Sequence, residues 1–297
     1  LGLFWQSLPV RCTGRLFYAP VCWHSSSMPE LPEVETSRSG IEPHIVGQEI
    51  VNVTIRERRL RWPVSEDLDN RLPGQTIVSV DRRAKYLLIN TTGGTAILHL
   101  GMSGHVSIVP RDAPAGIHDH VDIGLASGHA LRLRDPRRFG SLHFTENPTT
   151  HWLLKELGPE PLGDEFGGDY LWRKSRGRRV AVKPFIMNAN IVVGVGNIYA
   201  SESLFIAGIN PKRAAGRISL PRYEALADAI RSELQRAIRA GGTTHRDYYG
   251  GFGEAGWFQQ ELDVYGREDE PCHRCNRPVT AIVQGQRATY YCKHCQT

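Results

Sequence analysis

Four cysteines near the C-terminus carry the plainest chemistry in the chain. Cys272 and Cys275 are two residues apart, as are Cys292 and Cys295, and sixteen residues divide the pairs. Two such pairs of thiolates close a tetrahedral zinc site and leave no position for water. One structural Zn2+ per chain is therefore expected, and a zinc hydrolase is not. Residues 279–283 and 288–291 flank Gln284-Gly285-Gln286-Arg287 and read as a β-hairpin. About thirty residues cannot build a core alone, so the metal must hold that hairpin rigid, with Arg287 near its tip. The other two cysteines, Cys12 and Cys22, add nothing resembling a secreted disulfide scaffold, which points to a reducing, cytoplasmic setting.

The second chemical signal is charge. The 297 residues carry 36 Lys and Arg against 31 Asp and Glu, a net charge of +5. Residues 1–27 hold two of those cations, Arg11 and Arg15, and no acid. The remaining excess is mild and only permits a polyanionic partner. Its distribution is more telling: Arg56-Glu57-Arg58-Arg59, Arg82-Arg83-Ala84-Lys85, residues 132–138 and residues 173–179. Four basic clusters along one chain suit a surface that tracks a phosphate backbone, although each alone fits a solvated face equally well. Gly194-Val195-Gly196-Asn197 precedes a helical stretch, where bare N–H groups and a helix N-terminus suit a phosphate oxygen. No apolar run reaches the roughly 18 residues of a membrane helix, so no membrane partner is expected.

These residues need a frame. Residues 29–32, with two prolines, are expected to be extended, and a helix should run from Glu33 to Gly47. Short β-like runs follow at 49–56, 75–81, 86–90, 95–100, 106–109, 130–134 and 142–145, a spacing that suggests a β-sandwich. After Asn147-Pro148 the pattern turns helical at 151–157, 168–176, 198–207 and 221–240. The last places Leu226, Ile230, Leu234 and Ile238 at four-residue steps, with Ser219 as N-cap and Gly241-Gly242 as stop. Residues 243–258 are glycine-rich and without period. The fold class is α+β and multidomain. Residues 1–28 form an extension plus initiator Met28 outside the mature fold; 29–147 form the sandwich, 148–267 the helical unit, and 268–297 the zinc module.

Taken in order, PELPEVE at 29–35, KYLL at 85–88, HLGMSG at 99–104, DPRRFG at 135–140, VGVGNIYA at 193–200, GTT at 242–244 and YGR at 265–267 closely resemble the formamidopyrimidine-DNA glycosylase family. The resemblance spans residues 29–297. It implies a helix-two-turn-helix domain at 148–267 and a bifunctional DNA glycosylase/AP lyase of base excision repair that removes oxidised purines. The family's nucleophile, the secondary amine of an N-terminal proline, maps to Pro29. An α-amine titrates near 8 against about 10.4 for lysine, so far more of it is unprotonated at neutral pH. The resemblance makes Glu30 the proton donor and Lys85 a phosphate contact that assists acid catalysis. Glu33 is either a further acid near the site or a helix-start residue.

Extruding a nucleotide costs a few kcal/mol of stacking, and the resemblance assigns Met102, Arg137 and Phe139 to fill the gap. It also implies phosphate contacts from His99, Arg138, Asn197 and Arg287, with Arg246 in a lesion-capping loop at 243–258. The expected partner is double-stranded DNA with oxidised bases, bound by a monomeric, nucleoid-associated protein with no organic cofactor. MNAN at 187–190 stands where the family carries an acid-containing run, which leaves the bonding ahead of Gly194 open. Two rivals are an endonuclease VIII-like enzyme for oxidised pyrimidines, whose start resembles PEGPE where this chain has PELPE, and a damaged-DNA binder without catalysis.

Overall fold

The computed structural model describes residues 29–241 and 262–297; the first 28 residues and the loop at 243–258 lie outside the described residues. The first element among the described residues is helix α1 (Leu31–Ile45), two residues ahead of its expected start. Pro32 stands in the first turn, where a missing N–H removes no intrahelical bond, so the extended stretch is confined to Pro29 and Glu30. Gly47 follows the helix at φ +80°.

Eight strands come next: β1 (Ile50–Ile55), then, after the short helix α2 (Leu68–Arg71), β2 (Ile77–Arg83), β3 (Tyr86–Thr91), β4 (Gly94–His99), β5 (His105–Pro110), β6 (Asp119–Leu125), β7 (His129–Arg134) and β8 (Ser141–Thr145). They pair as two four-stranded antiparallel sheets, β1-β6-β7-β5 and β2-β3-β4-β8. In β3, Leu87, Ile89 and Thr91 point inward while their neighbours stay half-buried, the period-two pattern of a one-sided strand. The two sheets enclose a core that includes Val80, Leu87, Ile89, Leu98, Val106, Leu131 and Leu133, and α1 adds Val34, Ile41 and Ile45. This is the sandwich that the strand spacing suggested.

One strand escaped the sequence reading. β6 reads DHVDIGL, with two acids, yet all seven residues are buried. Arg132 on the adjacent β7 is the reason. Its guanidinium donates to both oxygens of Asp122 at 2.8 Å and lies 3.5 Å from Asp119. A charge pairs before it can be buried, and the pairing hides the strand from a hydrophobicity pattern.

Past β8 the expected helix at 151–157 is not formed. A 3-10 turn, Pro148–Thr150, leads into irregular turns instead. The helical unit consists of α3 (Gly168–Ser175), the five-residue α4 (Val182–Ile186), α5 (Asn197–Ile206) and α6 (Leu220–Arg239). In α6, Leu226, Ile230 and Leu234 are fully buried and Ile238 packs at the edge. Ser219 takes the N-cap position but makes no side-chain cap bond. This unit has its own core, and Leu31 of α1 belongs to it while Val34 belongs to the other. Helix α1 therefore joins the two cores. A hairpin of β9 (Thr280–Gln284) and β10 (Arg287–Tyr291) closes the chain, turning through Gly285 and Gln286, both at positive φ. No helix among the described residues is long and apolar enough to cross a membrane.

Candidate active site

Where the two cores meet, the N-terminus of α5 is closed by a side chain of the other unit. The carboxylate of Glu30, only 3% exposed, accepts hydrogen bonds from the backbone N–H of Gly196 at 2.8 Å and Ile198 at 2.9 Å, with Tyr199 at 3.4 Å. The orphan amides and the dipole of a helix start both favour an anion there. Gly196 makes the approach possible, because a Cβ on it would lie 2.2 Å from Cδ of Glu30. Glu33 completes the frame. It accepts the Glu30 N–H at 2.9 Å and the Tyr199 hydroxyl at 2.7 Å. Burial raises the pKa of Glu30 above the ordinary carboxylate value, opposed by Lys85 and by the helix amides, while Glu33 adds to the rise. A buried carboxyl with a raised pKa, adjoining Pro29 in sequence, has the chemistry of a proton donor.

Lys85 sits in the two-residue turn joining β2 to β3, beside Ala84 at φ +56°. Glu160, from the connection to the helical unit, grips that turn. Its carboxylate accepts from the N–H of Ala84 at 2.7 Å, from Arg82 at 2.7 Å and from Arg83 at 2.9 Å. The turn thus presents Lys85 to Glu30 and Glu33, whose charges it feels. Burial pulls its pKa down, and Arg287 pulls the same way. At the end of β4, His99 packs against the ring of Tyr86 at 4.8 Å. Burial, with Lys85 and Arg61 nearby, lowers its pKa to about 4. Its Nδ1 accepts the Gly101 N–H at 2.9 Å, so the neutral ring carries its proton on Nε2 and offers a donor.

The loops after β4 and β7 pack backbone against backbone. A Cβ on Gly101 would lie 2.3 Å from the carbonyl carbon of Phe139. Asp135, fully buried, organises both loops: it accepts from Ser103 Oγ at 2.6 Å and from the N–H of Gly140 at 2.7 Å, and Ser103 Oγ accepts the Arg137 N–H at 3.1 Å. Arg137 and Phe139 are thereby brought together, and Met102 follows Gly101 on the loop packed against Phe139. Phe139 is 41% exposed, with the Arg137 guanidinium 4.8 Å from its ring centre. Arg138, at φ +55°, turns instead towards Glu57, 3.2 Å away.

Asn197 opens α5, and a residue that no motif marked holds it. Lys183 of α4 is 1% exposed, and its Nζ donates to Asn197 Oδ1 at 2.7 Å, Thr289 Oγ1 at 2.8 Å and the Ala288 carbonyl at 3.0 Å. Burial drives its pKa down to about 7. One lysine thus ties the start of α5 to strand β10, which begins at Arg287, and the charge of Arg287 is felt by both Lys183 and Lys85. The four cysteines meet at the base of the same hairpin. Cys272 and Cys295 Sγ are 3.9 Å apart, Cys275 and Cys292 Sγ 3.5 Å, and all four lie within 4.8 Å of one another. Zn–S bonds of about 2.3 Å put tetrahedral sulfurs about 3.8 Å apart, so the set fits one zinc with no open position. Arg246 lies outside the described residues. Glu30, Lys85, His99, Asn197 and Arg287 are linked across the junction of sandwich, helices and hairpin, whereas Arg137, Arg138 and Phe139 make their contacts within the sandwich loops.

The chain is similar to known proteins along most of its length. Residues 28–142 match the formamidopyrimidine-DNA glycosylase N-terminal domain, 157–248 its H2TH domain, and 269–297 the zinc finger found in FPG and IleRS. Formamidopyrimidine-DNA glycosylases of Stutzerimonas stutzeri and Pseudomonas fluorescens are 60% and 59% identical over 269 residues, covering 91% of this chain and all of theirs. Among solved structures, a point mutant of the Lactococcus lactis FPG in complex with a Fapy-dG containing DNA superimposes with a TM-score of 0.84 at 34% identity, over 91% of this chain and 100% of that one. A complex of the Lactococcus lactis Fpg with an abasic site containing DNA gives 0.83 at 35%, over 90% and 99%.

Proposed function

The chain belongs to the formamidopyrimidine-DNA glycosylase family, and from that premise we propose that it excises oxidised purines, 8-oxoguanine and formamidopyrimidines, through Pro29 and then nicks the strand. The observation that carries the assignment of residues is the buried carboxyl of Glu30 on the N-terminus of α5, next to Pro29 and facing Lys85.

The ring nitrogen of Pro29, as a free secondary amine, attacks C1′ of the extruded nucleotide; the glycosidic bond breaks with its electron pair going to the departing purine, and the proton shed by the nitrogen balances that charge. Glu30 supplies a proton to the sugar ring oxygen as the ring opens. The product is an iminium with no N–H proton to lose. Its fixed positive charge draws electrons as a C2′ proton departs and the 3′ phosphate leaves, and the 5′ phosphate follows. Lys85 stands by the phosphate that must be neutralised. Met102, Arg137 and Phe139 fill the gap in the duplex, while His99, Arg138, Asn197 and Arg287 pin its backbone, with Arg246 reaching the lesion. Zinc, held by Cys272, Cys275, Cys292 and Cys295, supplies rigidity and no chemistry. One chain provides the proposed set, which suits a monomer, and a DNA substrate suits a cytoplasmic enzyme associated with the nucleoid. Division at 147/148 and 267/268 suits the three units.

The test is borohydride trapping on a duplex containing 8-oxoguanine. Protein beginning at Pro29 is expected to yield a covalent adduct and a nicked strand, Pro29→Gly to be impaired, and a version beginning at Leu1 to give neither. The assignment fails if free Pro29 traps nothing, or if the longer version traps equally well.

A further inference from the structure

Glu202 lies on α5, five residues after Asn197, and it is fully buried. Its carboxylate accepts three consecutive backbone N–H groups, from Asp263 at 2.7 Å, Val264 at 3.0 Å and Tyr265 at 2.8 Å. Burial pushes its pKa up to about 7, with Asp263 adding to the rise, so this is a costly acid to keep where a neutral residue could pack. The segment it grips carries one side chain that reaches the phosphate-binding candidates. The Tyr265 hydroxyl accepts from Asn197 Nδ2 at 3.3 Å, and its ring stands edge-on to Tyr290 of β10, 5.0 Å between centres. Val264, next to it, packs in the small core with Cys272, Val279 and Cys292.

We propose that Glu202 is a positioning residue for the phosphate seat: by fixing residues 263–265 onto α5, it holds Tyr265 between Asn197 and the zinc hairpin. The proposal rests on the reading of Asn197 and Arg287 as backbone contacts. Lys183 supports that seat from α4, and Glu202 supports it from the opposite side through Tyr265. Glu202 touches neither DNA nor the reacting atoms, so its effect falls on binding and not on the chemical step.

The experiment compares wild type, Glu202→Gln, Tyr265→Phe, the double variant and Asn197→Ala. Each is titrated with a duplex carrying a tetrahydrofuran abasic analogue, then assayed for single-turnover excision of 8-oxoguanine at saturating enzyme. Glutamine keeps the shape but aims an NH2 at an N–H. Both single variants are expected to weaken Kd by up to about tenfold, the scale of one hydrogen bond. The double variant is expected to be no weaker than the worse single, with saturated excision and zinc content unchanged. Additive losses, unaltered affinity in Tyr265→Phe, or a drop in the saturated rate alone overturn the proposal. If Glu202→Gln does not fold, Tyr265→Phe decides by itself. Wild-type affinity in Asn197→Ala instead removes the underlying seat, which separates the two failures.

Discussion

At the scale of single residues, the site is set by charges that burial moves away from their ordinary protonation behaviour. His99 illustrates the sign. Its folded pKa, about 4, lies below the 6.5 of a free imidazole. Its contribution to stability is therefore present above pH 6.5 and lost as pH falls from 6.5 towards 4, by about 3 kcal/mol at most. In His99→Gln the acid-side fall in Tm over that window is expected to become shallower, while the loss of DNA affinity should be the same at pH 6 and pH 8. Parallel Tm profiles would contradict a buried neutral imidazole. Residues inside motifs, such as Glu30 in PELPE or Phe139 in DPRRFG, were visible in the sequence. Lys183 and Glu160 were not, because each is a lone charge in an ordinary stretch. Only the fold reveals that one is buried against three acceptors and the other grips the turn of Lys85.

At the scale of elements, close backbone approach decides what the sequence can vary. Gly196 is the sharpest case, since a methyl there meets Glu30. Its φ is unremarkable at −106°, so Gly196→Ala acts through that clash and not through backbone strain. The variant is expected to displace the carboxylate, losing about 1–3 kcal/mol of stability and far more of its activity. A Tm shift with an unchanged excision rate would show that Glu30 tolerates the move. Element reading succeeded where periodicity was clean, as in β3 and α6. It failed at β6, where Arg132 neutralises Asp122 from the next strand, and at 151–157, where apolar residues line irregular turns. It also passed over α4, five residues long with Pro184 inside it, which delivers Lys183.

At the scale of the whole molecule, three separately built units meet at one junction, and zinc acts there from a distance. Cys292→Ser is expected to release the metal and loosen β10, weakening DNA binding. If Lys85, Arg138 and Arg287 each neutralise a phosphate, log Kd against log salt should have a slope of about 3, and the variant should lose about 1 of it. An identical slope in the two proteins would detach Arg287 from the backbone. Domain order was readable from where the hydrophobic period changed and where cysteines clustered, but how the units dock was not, because docking rests on isolated polar residues. The cap that Glu30 places on α5 has a further outcome. The Glu30 carboxylate keeps these bonds only while both halves of the molecule are engaged, so with Glu30 as the proposed proton donor catalysis is expected to act as a coincidence detector for their docking. Gentle heat or dilute urea that parts them will silence excision while far-UV dichroism still reports native helix and strand, and cooling or dilution will restore it.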